Sequence, residues 1–586
     1  MTVVRGSLPD DLRHRAAEPD QSEADGRTEE AQAVDAAPRT SSSVGERAAW
    51  SLVWLAVVTA GVSVWGFWWS SPVVGALGPL MILAGIIGTA ATFLVRSPRS
   101  TAFQSLAFAA VVVSVVFPQA VMIHTRVYAN TDAAAFDQAA AHALLQGHDP
   151  YTVSLAGAGR MLSLPARYWT YTVDGGHVTH TSYPAGSFLV EVPSMALGLH
   201  HMVVDWTDLA AWVLCVALFF LLLPVSLRWL AGLLAVTPIF VGMFSAGGTD
   251  AVFLPLLLLA VWRWDRFSSP GERGPARWLG PVALGLACAT KQTPWFCVPF
   301  LVTGVAMEAR LAGRGPARVA SRYAATVGAI FVVVNLPFVI WQPGAWARGT
   351  LLPFTGGLVA DGQGLVALAT HGVTGGVDLR LLAVAGALAY LALLGAWVRW
   401  YPAAKRVWLL ALPLTFFFSP RSLSSYLVDL FPVAVMAAVT VRSVPRAVRS
   451  DALERRMGAV GAATAALATV VACALAFSSQ PLRVGVDAAR VAAGGRQLTA
   501  VTVTVWNLTD TVQRPHFMVN PGAGTFGFWT SSSHRQVVLA PGAAATVTLL
   551  SPARAPAPQP GARWLVEAYS GSGSLTTSPL QVWHGR

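Results

Sequence analysis

Charge is what this sequence has least of. Of its 586 residues only 12% are Asp, Glu, Lys or Arg, against 54% hydrophobic. A soluble chain carries about a quarter charged residues, so a polar surface on all sides is excluded; the mean hydropathy of +0.55 agrees. Cysteine is nearly missing too. The four present (Cys215, Cys288, Cys297 and Cys473) each lie within an apolar run, which excludes a disulfide framework or a thiolate metal site and leaves small buried hydrophobes. HExxH, P-loop, paired CxxC and DxD patterns do not occur, so no nucleotide, metal or redox cofactor is implied. The net charge of +11 is spread over short loops between apolar runs. A nucleic-acid binder would gather it on one face.

What the sequence does have is length in its apolar runs, with 22 Trp and 37 Pro. Aromatic rings gather at headgroup level and Pro is tolerated in membrane helices. Residues 1–48 are Asp/Glu/Arg/Ala-rich without apolar periodicity and are expected to be a disordered cytoplasmic N-terminus. They hold no short apolar core with a cleavage site, so no cleaved signal peptide is expected. Residues 49–480 read as the membrane domain. Apolar runs begin with Trp50 to Trp69 and recur at 73–95, 103–123, 186–199, 207–226, 229–245, 250–262, 279–290, 294–307, 323–341, 381–398, 407–419, 426–441 and 457–478. Basic loops at Arg96/Arg99, Arg263 to Arg277, Arg310 to Arg322, Arg399 to Arg406 and Arg442 to Arg456 face the cytoplasm by the positive-inside rule. That orientation makes 124–185 and 342–380 outer loops and places Lys291 at an outer tip. It gives about thirteen crossings, and parity then makes the 229–245 run re-entrant. The His200–His201 pair falls on the cytoplasmic side.

From about Gln497 the pattern changes. LTAVTVTVWNLT, RQVVLAPGAAATVTLL and RWLVEAYSGS alternate apolar and polar residues between Pro/Gly/Ser turns. Such short strands predict an extracytoplasmic β-sandwich of immunoglobulin-like type over 497–586. Its aromatics (Trp506, Phe517, Phe526, Phe528, Trp529, Trp564) suit sugar stacking, but half or more are expected to be core.

The first outer loop reads ANTDAAAFDQAAAHALLQGHDPYTVS. An Asp soon after a membrane helix, an aromatic four residues later, a small-residue helix and a Gly-x-x-Pro-Tyr fall on Asp132, Phe136, Ala139 to Ala141, Gly147, Pro150 and Tyr151. SYPAGSFLV, GGTDAVFLPLLLLAV, GLACATKQTPWFCVPFLV, NLPFVIWQPGAW and SPRSLSSYLVDLFPV follow in order. Over roughly 100–440 the chain resembles the type C glycosyltransferases, most closely glycosyltransferase family 87, polytopic enzymes that use polyprenyl-phosphate sugars. It departs from that pattern at Phe136 (usually Tyr), after Tyr183, and at Gly247 to Asp250 (usually Gly-Gln-x-Asn).

The residues themselves offer a chemistry. Glycosyl transfer to a hydroxyl needs a base as the oxocarbenium-like centre forms, and a carboxylate at the membrane boundary can be tuned by burial. Asp132 is the candidate base, Asp137 the reserve. The plainer reading of Asp132 is a helix N-cap before the Ala-rich stretch, and Asp149 suits the turn before Pro150. Lys291, a charge at the tip of an apolar hairpin, is expensive without a partner; a donor phosphate is one, and snorkelling to headgroups is the alternative. Arg421 suits bidentate phosphate contact or a headgroup anchor. Tyr183, Asp250 and His371 are further substrate-binding candidates; Glu191 and Asp429 are weaker ones.

The resemblance implies an extracytoplasmic enzyme of a bacterial inner (plasma) membrane that moves a sugar, mannose first among the expectations, from a polyprenyl-phosphate carrier to a glycan, lipid or protein hydroxyl. An arabinofuranosyltransferase of the same superfamily is the neighbouring reading, and a lipid or sugar transporter the reading from another class. The partners are the lipid-linked donor, its acceptor and the surrounding lipids; nucleic acid is not among them.

Overall fold

The computed structural model describes residues 40–68, 72–125, 131–244, 249–269, 274–442, 452–478, 480–492, 494–521, 527–552, 555–571 and 573–584. Among the described residues seven helices are long and apolar enough to cross a membrane: Val44–Trp65, Gly75–Leu94, Thr101–Thr125, Val203–Leu222, Pro316–Trp341, Leu379–Arg399 and Ala459–Ser478. In lipid the backbone must satisfy its own hydrogen bonds, so runs of about 20 apolar residues fold as helices. Their outward side chains stay bare, with Leu106 73% and Val333 68% exposed. Shorter apolar helices, Asp250–Val261, Leu279–Thr290, Cys297–Leu311 and Leu430–Thr440, fill the interior. There Phe253, Leu254, Leu257 and Leu258 are fully enclosed.

The first long helix extends back to Thr40, so 40–48 is helical where disorder was expected. Arg47 explains the extension. It donates to the carbonyls of Thr92 (2.7 Å) and Val95 (2.8 Å), while Glu46 pairs with Arg99 at 2.6 Å. Residues 1–39 lie outside the described residues. The next helix, Pro72–Leu94, packs closely on it. A Cβ on Gly61 or Gly78 would stand 2.7 Å from the other's carbonyl oxygen.

The basic loops are tied together. Lys405 bonds Asp265 (3.1 Å) and Glu308 (2.8 Å), the Arg442 amide donates to Asp265 (2.9 Å), and Arg314 donates to the Ser268 carbonyl (2.8 Å). Four of the loops are thereby gathered at one end of the bundle; 443–451 lies outside the described residues.

The 186–199 run is not one continuous helix. It forms two short helices, Gly186–Leu189 and Val192–Ala196, inside a lobe built on Asp132–Leu145. Phe188 packs there against Tyr151 and Phe338, and Phe136 and Ala135 are buried in the same cluster. His200 goes with this lobe, since its carbonyl accepts from Gln138 at 2.9 Å, and not with the basic end as its sequence position suggested.

The C-terminal β-domain is an antiparallel arrangement. It begins at Leu482, before Gln497, because strand Leu482–Val491 pairs along Leu498–Asn507. Ala544–Leu550 follows on the other side. Phe528–Ser531 joins that group through Thr530 and Ser531 and the second group (His516–Asn520, Arg563–Tyr569, Ser574–Thr577) through Phe528 and Trp529. Val501, Val503 and Val505 alternate inward, the period-two burial of a half-covered strand. Phe517, Trp529 and Trp564 are core, and Phe526 lies outside the described residues. One further strand, Gly376–Asp378, comes from the membrane body and pairs with Ser574–Thr576.

Candidate functional site

Thr131 caps the lobe helix: its hydroxyl accepts from the Ala134 amide at 3.1 Å. The capping role, the alternative for Asp132, therefore belongs to its neighbour. Asp132 instead reaches across to the 170–178 hairpin, where the Thr170 amide donates to its Oδ2 at 2.6 Å. Crowding by protein atoms pushes its carboxyl above the ordinary range, against the Thr170 hydrogen bonds and the charge of Arg421.

Asp137 is more deeply buried. Ser187 donates to its Oδ1 at 2.9 Å, and its Oδ2 meets no protein donor among the described residues. Burial raises its pKa from 3.8 to about 7, opposed by Ser187 and the charge of Lys291. Asp149 does shape a turn, its Oδ1 accepting from the Tyr151 amide at 3.0 Å.

Lys291 ends helix Leu279–Thr290 and is buried. It pairs with Asp250 at 2.5 Å, and the rings of Tyr183 and Tyr426 each lie 5.4 Å from its Nζ. Asp429, buried at the start of Leu430–Thr440, acts electrostatically on Asp250 and Lys291. Gln292 fixes the surrounding turn by donating to the carbonyls of Ser182 and Thr350, both at 2.8 Å. An isolated charge at this depth would be costly; a paired one between two π faces is held in place.

Arg421 lies on a two-residue strand, Arg421–Ser422, parallel to Asp361–Gly362. Its guanidinium donates to the Val359 carbonyl at 3.3 Å, and Asp361, at 3.7 Å, is the carboxylate recorded beside it.

Most of these groups wall one cavity of about 660 Å³. Asp132, Asp137, Tyr183, Asp250, Lys291 and Arg421 line it, though they come from parts of the chain up to 289 positions apart in numbering (Asp132 to Arg421). His371 is not among the lining residues; it is exposed, and its Nδ1 stands 3.0 Å from the Ala367 carbonyl oxygen. Glu191 is buried elsewhere in the lobe, accepting from Thr207 at 2.7 Å. Thr170, Gln292, Asp361 and Tyr426 also line the cavity and were not singled out by the sequence. The only signal for them is adjacency, because Gln292 follows Lys291 and Tyr426 shares the SPRSLSSY turn with Arg421. Among the described residues no group of three or more His, Cys, Asp or Glu could hold a metal ion.

The cavity thus combines two carboxylates of weakened acidity, an ion-paired ammonium, a more open guanidinium and aromatic walls that include Trp169 and Phe354. Such a mixture can take a proton, balance an anion and stack on a ring in one enclosure. Comparison with protein-family models, curated proteins and solved structures finds no match for this chain.

Proposed function

We propose that the protein is an extracytoplasmic glycosyltransferase of the type C kind, most like glycosyltransferase family 87, that takes a sugar such as mannose from a polyprenyl-phosphate carrier. The observation that carries this reading is the single cavity walled by Asp132, Asp137, Lys291 and Arg421. The cavity end of the bundle faces outward and the basic loops face the cytoplasm of a bacterial cell. About thirteen crossings result, and with 186–199 folded into the lobe the 229–244 segment crosses instead of re-entering. The β-domain, read as immunoglobulin-like, is then extracytoplasmic.

In the reaction a carboxylate takes the proton of an acceptor hydroxyl as its oxygen bonds the anomeric carbon. The carbon–oxygen bond to phosphate breaks, polyprenyl phosphate leaves, and the anomeric centre inverts. Asp132 is the base, held by Thr170. Lys291 is already balanced by Asp250, so the phosphate charge falls chiefly to Arg421, with Lys291 orienting it. Tyr183 and Asp250 complete the donor wall. Asp137 is the second reading for the base, favoured by a carboxylate oxygen without a hydrogen-bond partner among the described residues and a pKa of about 7.

The test is turnover of a radiolabelled polyprenyl-phosphate sugar by purified protein. Asp132→Asn is expected to lower the rate by about 10²–10⁴-fold while carrier binding persists. Wild-type rates in that variant, with loss in Asp137→Asn, transfer the role to Asp137. Uptake of a lipid-linked sugar by proteoliposomes without bond formation would replace the enzyme by a transporter, and arabinofuranose as the transferred unit would replace mannose.

A further inference from the structure

One segment, 356–378, touches both sides of the cavity and the β-domain. At its start the Val173 amide donates to the Gly357 carbonyl (2.9 Å) and the Val359 amide to that of Tyr171 (3.1 Å), in the same hairpin whose Thr170 amide holds Asp132. In its middle, Asp361–Gly362 runs parallel to Arg421–Ser422, and the Gln363 amide donates to the Ser422 carbonyl at 2.7 Å. At its end, Gly376–Asp378 adds a strand to Ser574–Thr576 of the β-domain. The Thr577 amide donates to the Gly375 carbonyl (2.9 Å), the Thr577 hydroxyl to that of Thr374 (3.0 Å), and the Leu379 amide to that of Gly573 (3.0 Å).

Backbone ladders leave little room for slip, because a one-residue shift turns every side chain to the opposite face. Two glycines mark the tightest points. Gly362 has φ of 111°, and a Cβ there would lie 2.2 Å from the Ser422 carbonyl. Gly376 has φ of 143°, and a Cβ there would lie 2.1 Å from the Leu575 carbonyl oxygen. The Val359 carbonyl that accepts from Arg421 and the Thr170 amide that donates to Asp132 are therefore joined, through one strap, to the edge of the β-domain. A sugar-binding module on a flexible tether would need none of these bonds.

We propose that the β-domain is a positioning element of the cavity. By pairing with Gly376–Asp378 it holds the strap, and through the strap it holds the Arg421 guanidinium at the cavity wall. The ligand in this inference, a polyprenyl phosphate, rests on the donor reading above; the mechanical link does not. Gly376 and Thr577 are the positioning residues, distant from any reacting atom.

The experiment uses the full chain in detergent, with two readouts. Hydrogen exchange is measured at 358–365 and 419–424, and affinity is measured for polyprenyl phosphate itself. Gly376→Val is expected to raise exchange in both segments and weaken phosphate binding about tenfold, the scale of one charge-assisted hydrogen bond. Adding Arg421→Ala to Gly376→Val should weaken binding no further than Arg421→Ala alone. Thr577→Val, isosteric and mild, should move both readouts the same way by less, which keeps the test intact if Gly376→Val folds poorly. Unchanged exchange at 419–424 in both variants would overturn the proposal, and so would fully additive losses in the double variant. Raised exchange with phosphate binding indifferent to Arg421→Ala supports the link and sinks the donor reading alone.

Discussion

Two lysines end up buried at opposite ends of the helix bundle, and their surroundings differ in kind. Lys405 bonds two carboxylates, Asp265 and Glu308. Those carboxylates are claimed again by the Arg442 amide and the Tyr401 hydroxyl. Lys291 has one carboxylate, Asp250, two tyrosine faces, and a cavity. Among the described residues, of the three donors on an ammonium, Lys405 gives two to anions, whereas Lys291 gives one and borders the cavity. A buried charge tied to two carboxylates is architecture. One that borders a cavity with bonding capacity left is equipped to meet a ligand.

The comparison can be broken most directly by removing each lysine. Lys405→Met strands one buried carboxylate, Asp265, and one half-buried, Glu308, and is expected to cost about 3–5 kcal/mol of stability, read as a large fall in thermal midpoint in detergent. Lys291→Met should cost less, about 1–3 kcal/mol, since the cavity can admit water to Asp250, while carrier affinity falls about tenfold. Equal thermal losses would erase the distinction. A third probe sharpens it within the cavity. Asp137 carries a folded-state pKa of about 7 against an ordinary 3.8, so its ionised form is disfavoured by folding. Its contribution to stability is intact below about pH 4 and lost as pH rises through the interval to 7. Asp137→Asn should flatten that part of the stability–pH curve, and an unchanged slope would place the titration elsewhere.

Much of the architecture is legible because membrane spans are a matter of length. The seven long helices correspond to apolar runs that the composition exposes directly. The 186–199 run misleads for a physical reason: Phe188 and Leu189 are as apolar as lipid-facing residues, yet they pack on Tyr151 and its neighbours in the lobe. Periodicity cannot separate a short buried segment from a short span. The strand at 482–491 carries its own alternation in Leu482, Val484 and Val486, hidden by following straight after an apolar helix. Asp132, Lys291 and Arg421 stand out as charges in apolar company. Their partners Thr170, Tyr426 and Asp361 do not, since nothing local distinguishes a threonine amide or a loop aspartate that another segment will reach. His371 has the right residue type in the right loop, and the backbone simply turns it toward solvent.

The meeting of Gly61 with Gly78 carries a consequence for biogenesis. Lipid tails are as apolar as leucine and do not press helices together, so association rests on close backbone contact between small residues. The first two of these helices, only three residues apart in sequence, are shaped to enter the bilayer as a pre-paired unit. They would give the later segments, the short interior helices among them, a wall to assemble against as they leave the ribosome.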